Sequence, residues 1–297
     1  MGTKWLVESF GFWQPEPSQS AVNDVWPRFF SLGLAELMAQ GIAIGGRKLL
    51  LCVKRPAIEF HRMDLLRVDG VDLTEQVHNQ MAVQERLDAE SMIVDYASES
   101  SAIGQQRPIF VTGLARDTWE RWQAAWRGGK LQPVMMVPRP WATWQLVREQ
   151  ASISDEPTLV VALYRKQADL IVLDQRRPIF IRSINLQQPD ASDGVAQQMV
   201  SEIRLTVGTV DWPGEEQNVS QIVILGDREF AEAVASQIQD SLDIATNVVA
   251  LETLPSISYV DNQTPDINSA PLLGLLIGFT QTPDLESMDL MNPKTMA

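Results

Sequence analysis

The sequence predicts an α/β fold built on a mixed sheet with helices on its faces, and three observations predict it. Three short apolar segments, Thr158–Tyr164, Asp169–Asp174 and Pro178–Ile184, follow one another across polar connections of hairpin length, Arg165-Lys166-Gln167 and Gln175-Arg176-Arg177. Helix-period and strand-period segments then alternate to about residue 280, giving the order βββαβαβα. The chain has 297 residues, 45% hydrophobic and 21% charged, which is enough to bury the cores of two domains or two lobes.

Residues 1–30 read as irregular. Pro15, Pro17, Ser18 and Ser20 mark a loop, and seven aromatics from Trp5 to Phe30 crowd around it as a core cover. A helix is expected over 32–43, stopped by Gly45-Gly46. Lys48–Val53 reads as a buried strand, Pro56 interrupts it, and Ile58–Leu65 resumes as a strand. Asp72-Leu73-Thr74-Glu75 forms a capping box that opens a helix to about Leu87. Met92–Tyr96 and Pro108–Thr112 are strand-like. Asp117 is placed to cap a helix on which Trp119, Trp122 and Trp126 share one face, a stripe that more often packs inward than binds. Gly128-Gly129 ends that helix, Pro133–Val137 is a strand, and Pro140–Glu149 a helix with proline in its first turn.

The polar, acidic stretch Ser152–Pro157 is the expected boundary between the halves. Beyond the three-strand meander, a helix is expected over Ser192–Val210 and a strand over Gln221–Leu225. A helix over Arg228–Ser241 carries Phe230, Val234 and Ile238 on one face, Thr246–Leu251 is a strand, and Ala270–Phe279 is a small-residue helix. The organisation expected is therefore a first lobe at 1–151, a second at 152–280 and a mobile tail at 281–297.

Charge and motif content exclude several chemistries. A formal charge of −14 and a pI near 4.6 repel phosphate backbones and anionic lipid headgroups, so neither nucleic acid nor a bare membrane surface is an expected partner. The amino terminus has no basic segment leading an apolar one, and Leu6 stands where myristoylation wants Ser or Thr. No apolar stretch approaches the ~20 residues of a spanning helix. A single cysteine, Cys52, makes no disulfide and reads as a small strand residue. His61 and His78 have no cysteine or second histidine at ligand spacing, so no metal site is expected. Asp169, Asp174, Asp190 and Asp193 offer paired carboxylates, but two-metal nuclease chemistry would need one on the first meander strand, which has none. Arg176-Arg177 reads as a solvated turn. Gly41–Gly46 sits before a strand, the wrong order for a phosphate cradle. No catalytic residue is nominated.

The meander ending Ile181-Arg182-Ser183-Ile184, the strand Ile222-Val223-Ile224-Leu225-Gly226 and the small-residue helix at Pro271–Gly278, taken in this order, resemble the PilM branch of the actin-like superfamily. These are cytoplasmic assembly proteins of type IV pili and related secretion systems. The resemblance covers roughly residues 30–280. It implies an actin-like (ribonuclease-H-like) bilobed fold with mixed sheets and a first lobe reduced at its amino terminus. It also implies where nucleotide would bind and what has changed there. Ala162-Leu163-Tyr164 stands where the second phosphate loop carries Asp-Ile-Gly, and Gly226-Asp227-Arg228-Glu229 stands where the adenosine loop carries glycines. The reading is therefore a non-catalytic cytoplasmic adaptor without cofactor, docking a short cytoplasmic segment of a membrane-anchored partner and so peripheral at the inner face of the membrane. The alternative is a divergent switch that binds ATP with magnesium through Gly226 and Asp227.

Overall fold

The computed structural model describes residues 5–7, 36, 39, 48–54, 58–85, 91–98, 104–128, 132–148, 153–164, 166–187, 191–212, 218–251, 257–259, 265, 267–280 and 288–294. In chain order the elements are β1 (Trp5–Val7), β2 (Lys48–Val53), β3 (Glu59–Leu66), α1 (Leu73–Glu85), β4 (Met92–Ser98), β5 (Gln106–Ala115), α2 (Arg116–Gly128) and β6 (Gln132–Pro138). There follow α3 (Arg139–Arg148), β7 (Thr158–Leu163), β8 (Gln167–Asp174), β9 (Arg177–Asn185), α4 (Ser192–Thr209), β10 (Gln221–Leu225), α5 (Arg228–Leu242), β11 (Ala245–Val249), β12 (Ile257–Tyr259) and α6 (Ala270–Thr280).

The chain divides into a first unit, Glu8–Pro138 with Thr282–Ala297, and a second unit, Met1–Val7 with Arg139–Gln281. This differs from the expected boundary after residue 151. The reason is α3, which packs on α6, β8 and β9 of the second unit, so the polar stretch after it is an internal loop. At the crossing of α3 and α6, a Cβ on Gly274 would lie 1.9 Å from the Ala142 carbonyl oxygen, so only glycine permits the two backbones to approach this closely.

In the second unit the meander residues form one sheet in the order β11-β10-β7-β8-β9. β10 runs parallel to β7 and β11, while β7–β8 and β8–β9 are antiparallel. Every residue of β7 is buried because both faces are covered. Leu159, Val161 and Leu163 pack with Leu170 and Val172 against Val195, Met199 and Ile203 of α4 and Val234 and Ile238 of α5. The alternate residues, Asp169 among them, face α3 on the other side, as the strand period requires. The Gln175–Arg176 turn has both residues at positive φ, +48° and +63°, the primed geometry that matches strand twist. Neither residue is glycine, and neighbouring groups hold the turn. Arg176 donates to the Ile153 carbonyl, Trp144 Nε1 donates to the Arg176 carbonyl at 2.9 Å, and Gln175 N donates to Asp155 O at 2.9 Å. Arg177 is exposed as expected, whereas Arg176 is anchored with its side chain only partly solvated. The pair β1 and β12, parallel and three residues long, was not expected, since so short a segment has no readable period.

In the first unit, β3-β5-β4 form an antiparallel sheet and β2 pairs parallel to β6. Met63, Met92, Val94, Ile109 and Val111 bury one face of the three-stranded sheet against Val77 and Met81 of α1. Asp72 caps α1 as expected, its Oδ1 accepting from Thr74 N at 2.8 Å. Asp117, expected as a cap, lies inside the first turn of α2 because β5 runs directly into the helix. The tryptophan stripe packs: Trp126 is buried, Trp119 and Trp122 are half-buried, and all three join a cluster with Val53, Leu114, Met136 and Leu290. Leu290 belongs to the stretch expected to be a mobile tail. Residues 288–294 instead dock on this unit, with Met288 and Leu290 buried. Of the helix expected at 32–43, Glu36 and Ala39 are described and both are helical. Of the aromatic cover expected from Trp5 to Phe30, Trp5 lies on β1, and the other six aromatics, like the expected reduction of the first lobe at its amino terminus, lie outside the described residues.

Candidate functional site

The candidate site is the β7–β8 end of the second unit, where the sequence reading placed a phosphate loop. Ala162, fully buried, stands opposite Asp169 across the ladder. A carboxylate is therefore present one strand over from the position where it was missed. It is fully buried and already engaged. Arg139, the first residue of α3, donates from Nε to Asp169 Oδ2 at 2.8 Å and from a terminal nitrogen to Oδ1 at 2.7 Å. Ser183 Oγ on β9 adds a third donor to Oδ1 at 2.6 Å. Bidentate guanidinium–carboxylate pairing of this kind is short, planar and strong for its class.

The guanidinium is itself enclosed. Its carbon lies 4.1 Å from the centroid of the Tyr164 ring, and its other terminal nitrogen donates to Gln167 Oε1 at 3.1 Å. Gln167 is steadied by Asn185 on β9. The Tyr164 hydroxyl lies 2.8 Å from Thr143 Oγ1, and Thr143 donates its own proton to the Arg139 carbonyl, so tyrosine donates to threonine. Tyr164 is buried, where a phosphate-binding turn would expose backbone N–H groups beside glycine. The result is a closed polar network joining α3, β7, β8 and β9, in which a fixed internal cation faces the carboxylate.

Gly226 and Asp227 lie at the end of β10. A Cβ on Gly226 would come within 2.9 Å of the Ala231 Cβ and 3.6 Å of the Leu163 Cβ, so glycine here serves the approach of the first turn of α5. Asp227 occupies the amino-cap position, exposed and without a side-chain cap bond, while its carbonyl accepts from Ala231 N at 2.8 Å. The neighbouring Arg228–Glu232 pair is exposed at 3.6 Å and contributes little.

The other nominated residues do not converge. Asp193 accepts from Gln237 between α4 and α5, Asp174 closes the β8–β9 hairpin, and Asp190 lies outside the described residues. His61 is 3.9 Å from Glu59 on β3, and His78 is on α1. Among the described residues no group of three or more His, Cys, Asp or Glu is arranged to hold a metal ion. Cys52 is half-buried on β2. Arg139 was missed in the sequence because an arginine before a proline at a helix start carries no local sign of a partner thirty residues away.

No family model and no curated protein sequence matches the chain. Among solved structures, the PilM–PilN type IV pilus biogenesis complex matches with a TM-score of 0.71 and 15% identity, over 90% of this chain and 90% of that one. This chain has the actin-like fold of the PilM type. More distant matches are the cytoplasmic domain of EpsL, an inner membrane component of the type II secretion system of Vibrio cholerae, and a Bacteroides thetaiotaomicron protein with an actin-like ATPase fold. The first has a TM-score of 0.49 and 10% identity over 88% of this chain and 83% of that chain; the second has 0.47 and 7% over 83% and 80%. Neither of these is near enough to carry argument. No helix among the described residues is long and apolar enough to cross a membrane.

Proposed function

We propose that this PilM-like chain is a non-catalytic scaffold of a type IV pilus or secretion assembly. It works on the cytoplasmic side by docking a short segment of a membrane-anchored partner, and it needs no nucleotide. One observation carries the reading: Arg139, Asp169 and Tyr164 close upon one another where a PilM-type relative would offer a carboxylate and glycine backbone to magnesium and phosphate. An internal guanidinium neutralises the carboxylate that a hydrated cation would otherwise approach, and expelling it would leave a buried charge unpaired. The PilM–PilN relative supports the partner half of the proposal, because that protein was solved with an assembly partner.

A thermal-shift titration with MgATP and MgADP tests the nucleotide half. A ligand at about a thousand times its Kd adds ~4 kcal/mol to a folded state that alone binds it. A flat response to millimolar nucleotide is expected. A saturable shift that Gly226→Trp weakens would replace the proposal with the divergent ATP-binding switch. Co-purification from host membranes tests the partner half, with a membrane-anchored protein expected in the eluate. Its absence would count against the adaptor.

A further inference from the structure

Residues 288–294 return to the first unit after the chain has passed through the whole of the second. They lie along two sheet edges. Among the described residues β4 is an edge of the three-stranded sheet, and β6 has β2 on one side only. Leu290 N donates to Met136 O at 2.8 Å, and Met136 N donates to Asp289 Oδ1 at 2.9 Å, so both main-chain groups of this β6 residue are taken by the segment. Asp95 of β4 is fully buried and accepts from Asp289 N at 2.5 Å, from Lys294 N at 3.1 Å and from Lys294 Nζ at 3.1 Å. Lys294 Nζ also donates to Tyr96 O at 2.5 Å and sits 4.7 Å from the Tyr96 ring centroid. Leu290 fills a socket of Val53, Ile58, Leu114, Trp126 and Met136.

These groups form a groove that requires an occupant. A carboxylate at an edge with no donors, beside an open Met136 amide and an empty apolar socket, combines three unfavourable exposures. The groove is otherwise built without the segment, since β4 and β6 each have a full partner in β5 and β2. What it recognises is legible from what it holds: an apolar residue, an aspartate, a leucine, then a lysine five positions after the aspartate. A second copy of this chain is the one partner whose own sequence guarantees that pattern.

We propose that residues 288–294 are a detachable strap, and that the groove between β4 and β6 accepts the strap of a second copy when its own is released. Docked within one chain, the strap blocks self-association. Exchanged between chains, it creates a linked pair without any new contact, the low-cost route that swapping provides. This inference is independent of the nucleotide and membrane-partner readings.

Native-state hydrogen exchange on the unmodified chain is the first test. The amides of Leu290 and Lys294 should exchange at least about ten-fold faster than the ladder amides of β5, through opening of the strap alone. Exchange of both sets together would make the strap an integral strand and overturn the proposal. The second test titrates a labelled peptide of residues 286–297 into the full-length chain carrying Leu290→Asp, checked for folding by circular dichroism. Saturable binding is expected, about ten-fold weaker for the unmodified chain and lost when the peptide carries the same substitution. A folded variant that does not bind the peptide overturns the proposal.

Discussion

The two units each bury a carboxylate completely on a sheet strand, and they satisfy it in opposite ways. Asp169 in the second unit receives a planar guanidinium from the buried helix α3 and a hydroxyl from β9. Asp95 in the first unit receives two backbone N–H groups and a lysine ammonium from one short segment near the end of the chain. A guanidinium fork fixes direction as well as charge, whereas an ammonium is a rotatable point charge on a flexible stem. Burial pushes the Asp95 carboxyl above its usual 3.8, and the Lys294 charge and the strap's hydrogen bonds only partly offset it. One carboxylate is a closed fastening and the other a removable one.

The largest expected effect breaks the first fastening. Asp169→Ala should cost about 3–5 kcal/mol in urea denaturation by leaving the Arg139 charge buried and alone. The double variant Arg139→Met with Asp169→Leu should recover most of that loss, since an apolar pair of similar volume removes the uncompensated charge. A double variant as unstable as the single one would show that the network, rather than the orphaned charge, holds α3 in place.

Breaking the second fastening should cost less. Lys294→Met removes the ammonium's bonds to Asp95 and to the Tyr96 carbonyl, and because the ammonium is partly exposed the loss should be on the order of 1–2 kcal/mol. It should be felt at the strap, as faster hydrogen exchange of Leu290 with the second unit unchanged. An equal acceleration in β7 would erase the distinction drawn between the two units.

The smallest effect is a pH slope. A carboxyl whose folded pKa is raised adds stability fully below its unfolded value, and that contribution is lost as pH rises through the folded one. The stability advantage of the unmodified chain over Asp95→Asn should therefore shrink as pH rises above about 4. An advantage that grows with pH would mean that Lys294 outweighs burial, and the strap would then be the firmer fastening.

Most of the framework was legible in the sequence where apolar period and punctuation agree. β2 and β10 have the residues expected, and β7, α4, α5 and α6 differ by a residue at an end. What was illegible depends on partners distant in sequence. The Gln175–Arg176 turn has none of the glycine or asparagine that announces positive φ, because Ile153 and Trp144 hold it from outside. The docked strap read as polar tail, since only Met288 and Leu290 are buried and its bonds reach back more than 150 residues. The candidate site was half read. The sequence showed Ala162-Leu163-Tyr164 where the resemblance leads one to expect Asp-Ile-Gly, but the carboxylate opposite Ala162 and the arginine that neutralises it become visible only through register.

The pairing of Trp5–Val7 with Ile257–Tyr259 bears on synthesis as well as architecture. A strand synthesised early waits for a partner some 250 residues behind it, and Asp95 waits for residues 289–294 in the same way. Each unit therefore gains its last contacts only once its distant segment has been synthesised. Long-range closure of this kind slows folding and prolongs exposure of unpaired edges. Nascent chains stalled before residue 257 should accordingly be stronger clients of holding chaperones than chains extended past residue 294.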